Sequence, residues 1–342
     1  MQRKMEEYVK TNLARTLALA LALAVGSIAA GCGEKSEGGG QAKPEEFTLA
    51  LDFFVNPDHA GIFRALERGD FSEAGLDVDT QVPADPSAPI RQVAAGKVDL
   101  AISYEPEVLL AHDQGLPVTA VGAIVSQPLT SLISLPEARI KGPADLDGKT
   151  IATAGIPYQT AFLEAILDAE GLSPRDVKRV DVGLGLLPAV LSGRADAMLG
   201  GFLNVEGVDL ELRDKNPRVV PVDELGIPTY DELVLVANSD RVEEDPEPIR
   251  LFIAALERGT LDAAENARAA TRAVLDAGEG LEPKLTAAEV RETLPLLLPK
   301  GENQFGYMDP GEWRRFIGFM ADEGLITRRP EFDEVATNQH LP

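Results

Sequence analysis

One short pattern occurs twice in this chain and limits what it can fold into. Residues 95–102 (AGKVDLAI) and 192–199 (SGRADAML) share one order: a helix ends on glycine, a basic residue and an aspartate follow, and an apolar strand begins. In the first copy's surroundings, residues 48–54 read as a strand, 61–74 as a helix, 76–82 as an alternating strand and 89–95 as a helix; 98–103 and 118–125 are further strands, with a helix over 108–113 between them. The segment IKGPADLDG (140–148) interrupts this with Gly, Pro and a capping Asp145, and the rhythm then restarts: strand 150–154, helix 158–170, strand 177–182, helix 187–191, strand 197–199. Alternation of this kind builds parallel sheets. The chain is therefore expected to be α/β, in two halves, with the repeat marking duplicated architecture rather than duplicated chemistry. Residues 47–135 should begin lobe 1, 136–228 should form lobe 2, and 229–342 should return to lobe 1 through a strand at 230–238. Helices over 248–257, 260–275, 286–297 and 309–324 follow, and Trp313 and Phe316 on the last read as core.

Halves with facing strand ends leave a cleft, and the stretch ALDFFVNPDHAGIF (50–63) runs from a strand into such an end, where Asn56, Pro57, Asp58 and His59 break the pattern. Ligands of open α/β sheets bind outside strand ends, near free helix N-termini. Aromatic, amide and carboxyl groups recur at these positions: Phe53, Asn56 and His59; Tyr104 and Glu105; Tyr158; and Phe202, Asn204 and Glu206. Such a set suits a small planar nitrogen heterocycle, with ring faces for stacking and Asn or Glu for its polar edge. A phosphate site would show Ser, Thr and Arg instead. Asn56 and Glu206 read as exposed cleft groups whose substitution weakens binding and leaves folding intact. No catalytic constellation is visible: His59, His112 and His340 are scattered, and there is no HExxH, GxSxG or P-loop. Neither catalytic residues, a metal nor a cofactor is expected.

The first 31 residues form a separate object, with Arg3, Lys4, Lys10 and Arg15 ahead of an apolar run over 17–30 too short to span a bilayer comfortably. They read as a secretory signal. The run closes on Ala29-Ala30-Gly31 and Cys32, the only cysteine in the chain, which resembles a bacterial lipoprotein processing box. A lipid on Cys32 accounts for an unpaired thiol in an exported protein. Residues 32–46 then comprise the lipidated cysteine and a Gly-rich, charged tether. A net charge of −24 argues against nucleic acid or an anionic membrane surface as the working partner, since binding phosphates requires clustered Lys and Arg. The protein is expected to be an extracytoplasmic, lipid-anchored monomer.

The motifs LDFFVNPDHAGIF, GDFSEAGLDVD, VPADPSAPIRQVAAGKVDLAISYEPEVLLAHDQGLPV, GIPYQTA and GGFLNVEG together resemble the thiamine-pyrimidine (ThiY-like) family of ABC-transporter substrate-binding proteins, over about residues 48–238. That resemblance implies a two-lobed periplasmic-binding-protein type II (Venus flytrap) fold, each lobe a βαβ mixed sheet flanked by helices. It also implies a formylated or hydroxymethylated aminopyrimidine as cargo, delivered to an ABC permease, with Asn56 and Glu206 among the polar contacts. The family usually has Trp where Phe53 stands, and a related branch carries riboflavin. A eukaryotic pyrimidine synthase on the same fold uses pyridoxal phosphate; its lysine and histidine would fall where this chain has Ser103 and Glu107, and its cysteine-rich motif is absent.

Overall fold

The computed structural model describes residues 43–301 and 303–342; the expected signal, Cys32 and the tether as far as residue 42 lie outside the described residues. The first sheet contains β1 (Glu45–Ala50), β2 (Leu76–Gln81), β3 (Leu100–Ser103), β4 (Val118–Val125) and β10 (Leu233–Asn238), and the second contains β5 (Thr130–Ser134), β6 (Thr150–Thr153), β7 (Lys178–Asp181), β8 (Ala197–Phe202) and β9 (Arg218–Pro221). Their orders, β2-β1-β3-β10-β4 and β7-β6-β8-β5-β9, follow one scheme. Three parallel strands are followed by an antiparallel strand and an edge strand. The expected pair of mixed βαβ sheets is present.

The tether ends sooner than expected, because Glu45 and Glu46 already pair in β1. The first strand stops at Ala50, so Phe53 and Phe54 stand in the loop beyond it. The lobe boundary also differs: β5, expected in the first lobe, pairs with β8 and β9 in the second sheet. All five of its residues are buried although Thr130, Ser131 and Ser134 are polar, and so short a run carries no mark of either sheet; only its long-range pairing settles the choice. Each lobe thus receives its antiparallel inner strand across the crossover, β5 arriving directly from β4 and β10 returning after β9.

The repeated aspartate explains the repeated motif. Asp99 accepts from the Thr48 backbone N–H at 2.7 Å and its hydroxyl at 2.8 Å, while its own N–H donates to Thr48 O. Asp196 does the same in the second lobe, accepting from Thr150 N–H at 2.8 Å and donating to Thr150 O. Each ties the start of one central strand to its parallel neighbour, Asp99 to Thr48 within β1 and Asp196 to Thr150 at the start of β6. Gly96 and Gly193, at φ of 62° and 69°, supply the left-handed turn ahead of it.

The two crossing segments are clasped by Glu232, which is fully buried. Its carboxylate accepts the Leu129 and Thr130 N–H groups at 2.7 Å each, the Thr130 hydroxyl at 2.9 Å and the Tyr230 hydroxyl at 2.9 Å. The helices α1 (Ala60–Arg68), α2 (Glu105–Asp113), α3 (Pro157–Ala169) and α4 (Glu206–Leu212) flank the sheets. After β10 come α5 (Glu247–Glu265), α6 (Ala267–Ala277), α7 (Pro283–Thr293) and α8 (Pro310–Asp322). Helix α5 runs unbroken through the expected gap near residue 258, and Gly259 there lets it meet α1 closely: a Cβ built at that position would lie 2.5 Å from Gly61 O. On α8, Trp313 and Phe316 are core residues, as expected. Among the described residues no helix is long and apolar enough to cross a membrane.

Removing either stitching carboxylate should destabilise its own lobe. Asp196→Ala is expected to lower unfolding free energy by about 1–3 kcal/mol, the range for stranding a part-buried donor. Urea unfolding checks it, and an unchanged midpoint would rule out the stitching role.

Candidate functional site

A cavity of about 350 Å³ opens between the lobes. Its first wall comes from the loop after β1 and from the β3–α2 turn, and contributes Asp52, Phe53, Phe54, Asn56 and Tyr104. The second wall comes from the second lobe, where the turns after β6 and β8 present Ile156, Tyr158, Gln159, Phe202 and Glu206. Helix α7 and the loop before it close a third side with Leu281, Leu285, Thr286 and Glu289. Of the candidates read from sequence, Phe53, Asn56, Tyr104, Tyr158, Phe202 and Glu206 meet at this cavity. His59, Glu105 and Asn204 do not, and each has a different task.

His59 is fully buried behind the first wall. Its Nδ1 accepts the Asn56 backbone N–H at 3.3 Å, which leaves Nε2 to donate to Asp52 at 2.8 Å. The Tyr104 hydroxyl donates to the other Asp52 oxygen at 3.0 Å. The histidine therefore positions Asp52, which does line the cavity. Burial pushes the Tyr104 phenol well above its ordinary range, so it remains a donor.

Glu105 faces the crossover. Its carboxylate accepts the Asp231 backbone N–H at 2.7 Å, and Asp231 accepts the Trp313 indole N–H at 2.7 Å. Burial raises both carboxyls, helped at Glu105 by the charge of Asp231 and at Asp231 by that of Glu312, and brings Asp231 to about 7.

Asn204 closes the seam between the lobes: its amide donates to Asp58 Oδ1 and to the Thr293 hydroxyl, both at 2.8 Å. Asp58 Oδ2 and Asn204 Oδ1 have no partner, and burial holds Asp58 well above the carboxyl value of 3.8. A proton on Asp58 removes the buried charge that its orphaned oxygen would otherwise carry.

Asn56 lines the cavity, yet its side chain caps the turn Pro57–His59, accepting Asp58 N–H at 2.8 Å and donating to Phe54 O at 3.1 Å. The expectation that its removal leaves folding intact is therefore corrected; losing such a cap costs about 1 kcal/mol. Glu206 opens α4. One of its oxygens accepts Phe202 N–H at 2.8 Å, and burial raises its carboxyl.

Sequence reasoning passed over Asp52, Gln159 and the α7 wall. Asp52 sits next to Phe53 at the strand end and Gln159 next to Tyr158, so proximity to the chosen aromatics was an available signal. Gln159 turns its carbonyl to Ala154 N–H at 2.8 Å, fixing the β6–α3 turn. Nothing local marks Glu289, which shares its helix with ordinary core positions.

The seam generates a pH prediction. A carboxyl raised in the folded state holds its proton where the unfolded chain has lost it, so its contribution is full below 3.8 and is lost as pH rises through the folded value. Asp58→Asn, which presents a permanent N–H to Asn204, should stabilise the protein at pH 7 by about 1 kcal/mol or more and flatten this decline. Unfolding midpoints measured from pH 4 to 8 check it; parallel curves for both proteins would refute the protonated seam.

Residues 56–270 match the protein family described as NMT1/THI5 like. The formylaminopyrimidine-binding protein of Halalkalibacterium halodurans is 35% identical, over 81% of this chain and 84% of that protein. The 4-amino-5-hydroxymethyl-2-methylpyrimidine phosphate synthase of Schizosaccharomyces pombe is 28% identical, over 64% of this chain and 65% of that one. Among solved structures, the alkanesulfonate-binding protein SsuA from Xanthomonas axonopodis superposes with a TM-score of 0.68 at 16% identity, covering 87% of this chain and 100% of that one. That likeness shows a shared fold, the two-lobed α/β architecture of periplasmic binding proteins. The chain belongs to the NMT1/THI5-like family of thiamine-pyrimidine proteins, built on the periplasmic-binding-protein fold.

Proposed function

We propose that this protein is the extracytoplasmic, lipid-anchored binding component of an ABC importer, and that it carries a thiamine-precursor aminopyrimidine, formylated or hydroxymethylated, to a membrane permease. The observation that carries this reading is the cavity's chemistry. Aromatic rings from both lobes, Phe53 and Tyr104 on one side and Tyr158 and Phe202 on the other, line the space; Tyr104 and Tyr158 touch each other with centroids 5.5 Å apart, so a flat ring would lie against this pair and not between its members. The polar wall is acidic: Asp52, Glu206, Asp209, Glu282 and Glu289 face a single cation, Arg213, which is already paired with Asp209. A wall of carboxyl oxygens with no free cation among the described residues gives a sulfonate or phosphate no counter-charge and favours a neutral or protonated ring rich in N–H donors. Closure of the lobes on the ligand would shift an open–closed equilibrium, with the ligand's greater affinity for the closed form as the driving term.

The residues give little support to an enzyme of the synthase kind. Where that reading needs a lysine and a histidine, Ser103 donates to Glu107 at 2.6 Å and both are buried, and no lysine is among the residues lining the cavity. A second cargo, riboflavin or another fused heterocycle, is favoured by one observation: the cavity aromatics are Phe and Tyr, while Trp313 lies in the core.

Calorimetry should find an aminopyrimidine binding more tightly than riboflavin, thiamine or a sulfonate. Glu206→Gln should weaken that binding by about tenfold or more, equivalent to losing one charge-assisted hydrogen bond, with little change in the unfolding midpoint. Tighter binding of riboflavin would replace the cargo assignment, and unaltered affinity in the variant would remove Glu206 from the contact set. Mass spectrometry of membrane-associated protein should show a diacylglyceryl thioether on Cys32; a free thiol there would end the lipoprotein assignment.

A further inference from the structure

One carboxyl of the cavity wall serves no interaction described so far. Glu289 on α7 is 6% exposed, lines the cavity, and has no hydrogen-bond or ion-pair partner among the described residues. Its helix packs against α4 of the second lobe and the turn Pro57–His59 of the first. One turn further along, Thr293 receives the Asn204 amide at 2.8 Å, which fastens this end of the helix at the seam. The carboxyl is thus held on a fixed element and turned toward a space that no protein group fills.

The charged groups around that space are Glu206, Asp209 and Arg213 from α4, Asp52 from the loop after β1, and Glu282 beside α7; α6 adds none to the lining. Glu206 already spends one oxygen on Phe202 N–H, and Arg213 is held by Asp209. Neither answers Glu289. Burial, followed by the charges of Asp209 and Glu206, raises its carboxyl to about 8. Near neutrality it therefore keeps its proton, and a protonated carboxyl is a donor and an acceptor side by side.

We propose that Glu289 is a second, specificity-setting contact for the cargo, pairing with a ring edge that presents a nitrogen acceptor beside an amino donor. The carboxyl O–H donates to the ring nitrogen and the amino N–H donates to the carbonyl oxygen, so two hydrogen bonds form in one plane. An analogue without the amino group leaves the buried carbonyl oxygen unpaired, which is a steep basis for rejection. This inference rests on the aminopyrimidine reading above and deepens it.

Titration calorimetry on the full chain tests it, with formylaminopyrimidine and the same ring lacking its amino group as probes, from pH 6 to 9.5. Wild-type affinity should hold to about pH 8 and fall above it as Glu289 ionises. Glu289→Gln, which keeps a donor beside an acceptor, should bind within about threefold of wild type at pH 7 and lose the alkaline decline. Glu289→Ala should bind about tenfold more weakly and lose most of the preference for the aminated ring. Unfolding midpoints of both variants separate lost contact from lost fold. If wild type binds and both variants match it at every pH, or if the decline persists in Glu289→Gln, the assignment of Glu289 is overturned while the aminopyrimidine reading stands. If wild type binds neither probe, that reading fails and takes this one with it.

Discussion

Four donors from two separate chain crossings converge on the Glu232 carboxylate, and the relation between the lobes depends on this buried clasp. Because β5 and β10 are exchanged between the sheets, two backbone segments must pass side by side through the same gap, one after β4 and the other before β10. Their amides lie where water cannot reach them, and an unpaired amide there would be costly. One carboxylate that accepts from both sides removes that difficulty and holds the crossings in register. Asp231 next to it extends the bracing through Trp313 to α8, and through its own N–H to Glu105. The result is a braced pair of crossing strands below the cavity.

The chain solves its excess of acid in two ways. Where backbone donors are available, carboxylates collect them, as Asp99 and Asp196 do, and as Glu232 does although burial raises its carboxyl. Where they are scarce, burial raises the carboxyl and a proton takes the place of a cation. Asp58 at the seam, Glu105 and Asp231 at the crossover, and Glu289 in the cavity are all of this second kind. These sites fall on the surfaces where the lobes meet or where a ligand would sit, and far less in the interior of either lobe. Under the proposed function, a cleft of this kind suits a cargo that is itself rich in N–H groups.

The local patterns were legible to different depths. The Gly-basic-x-Asp motif was read as architecture, and Asp99 and Asp196 proved to be strand stitches. The aromatics Phe53, Tyr104, Tyr158 and Phe202 stand at strand ends in the sequence, and all four reach one cavity. Their polar neighbours share that position and divide. Glu206 lines the cleft, Asn56 lines it while capping its own turn, and His59, Glu105 and Asn204 turn to Asp52, the crossover and the seam. At the end of a strand the chain is bending, so one residue's difference in position reverses the direction of a side chain, and a polar group then goes to whichever partner the other lobe offers.

Periodicity and turn chemistry alone determined that this is an α/β protein in two similar halves with its interesting residues at the strand ends, because those properties are decided within a few residues of each position. Three matters were left to the tertiary structure. These are the sheet that β5 joins, the partners of His59, Glu105 and Asn204, and the placing of α7 with Glu289 as a third wall. Each depends on contacts between segments far apart in the chain, and nothing in a residue's own neighbourhood records which distant surface it will meet.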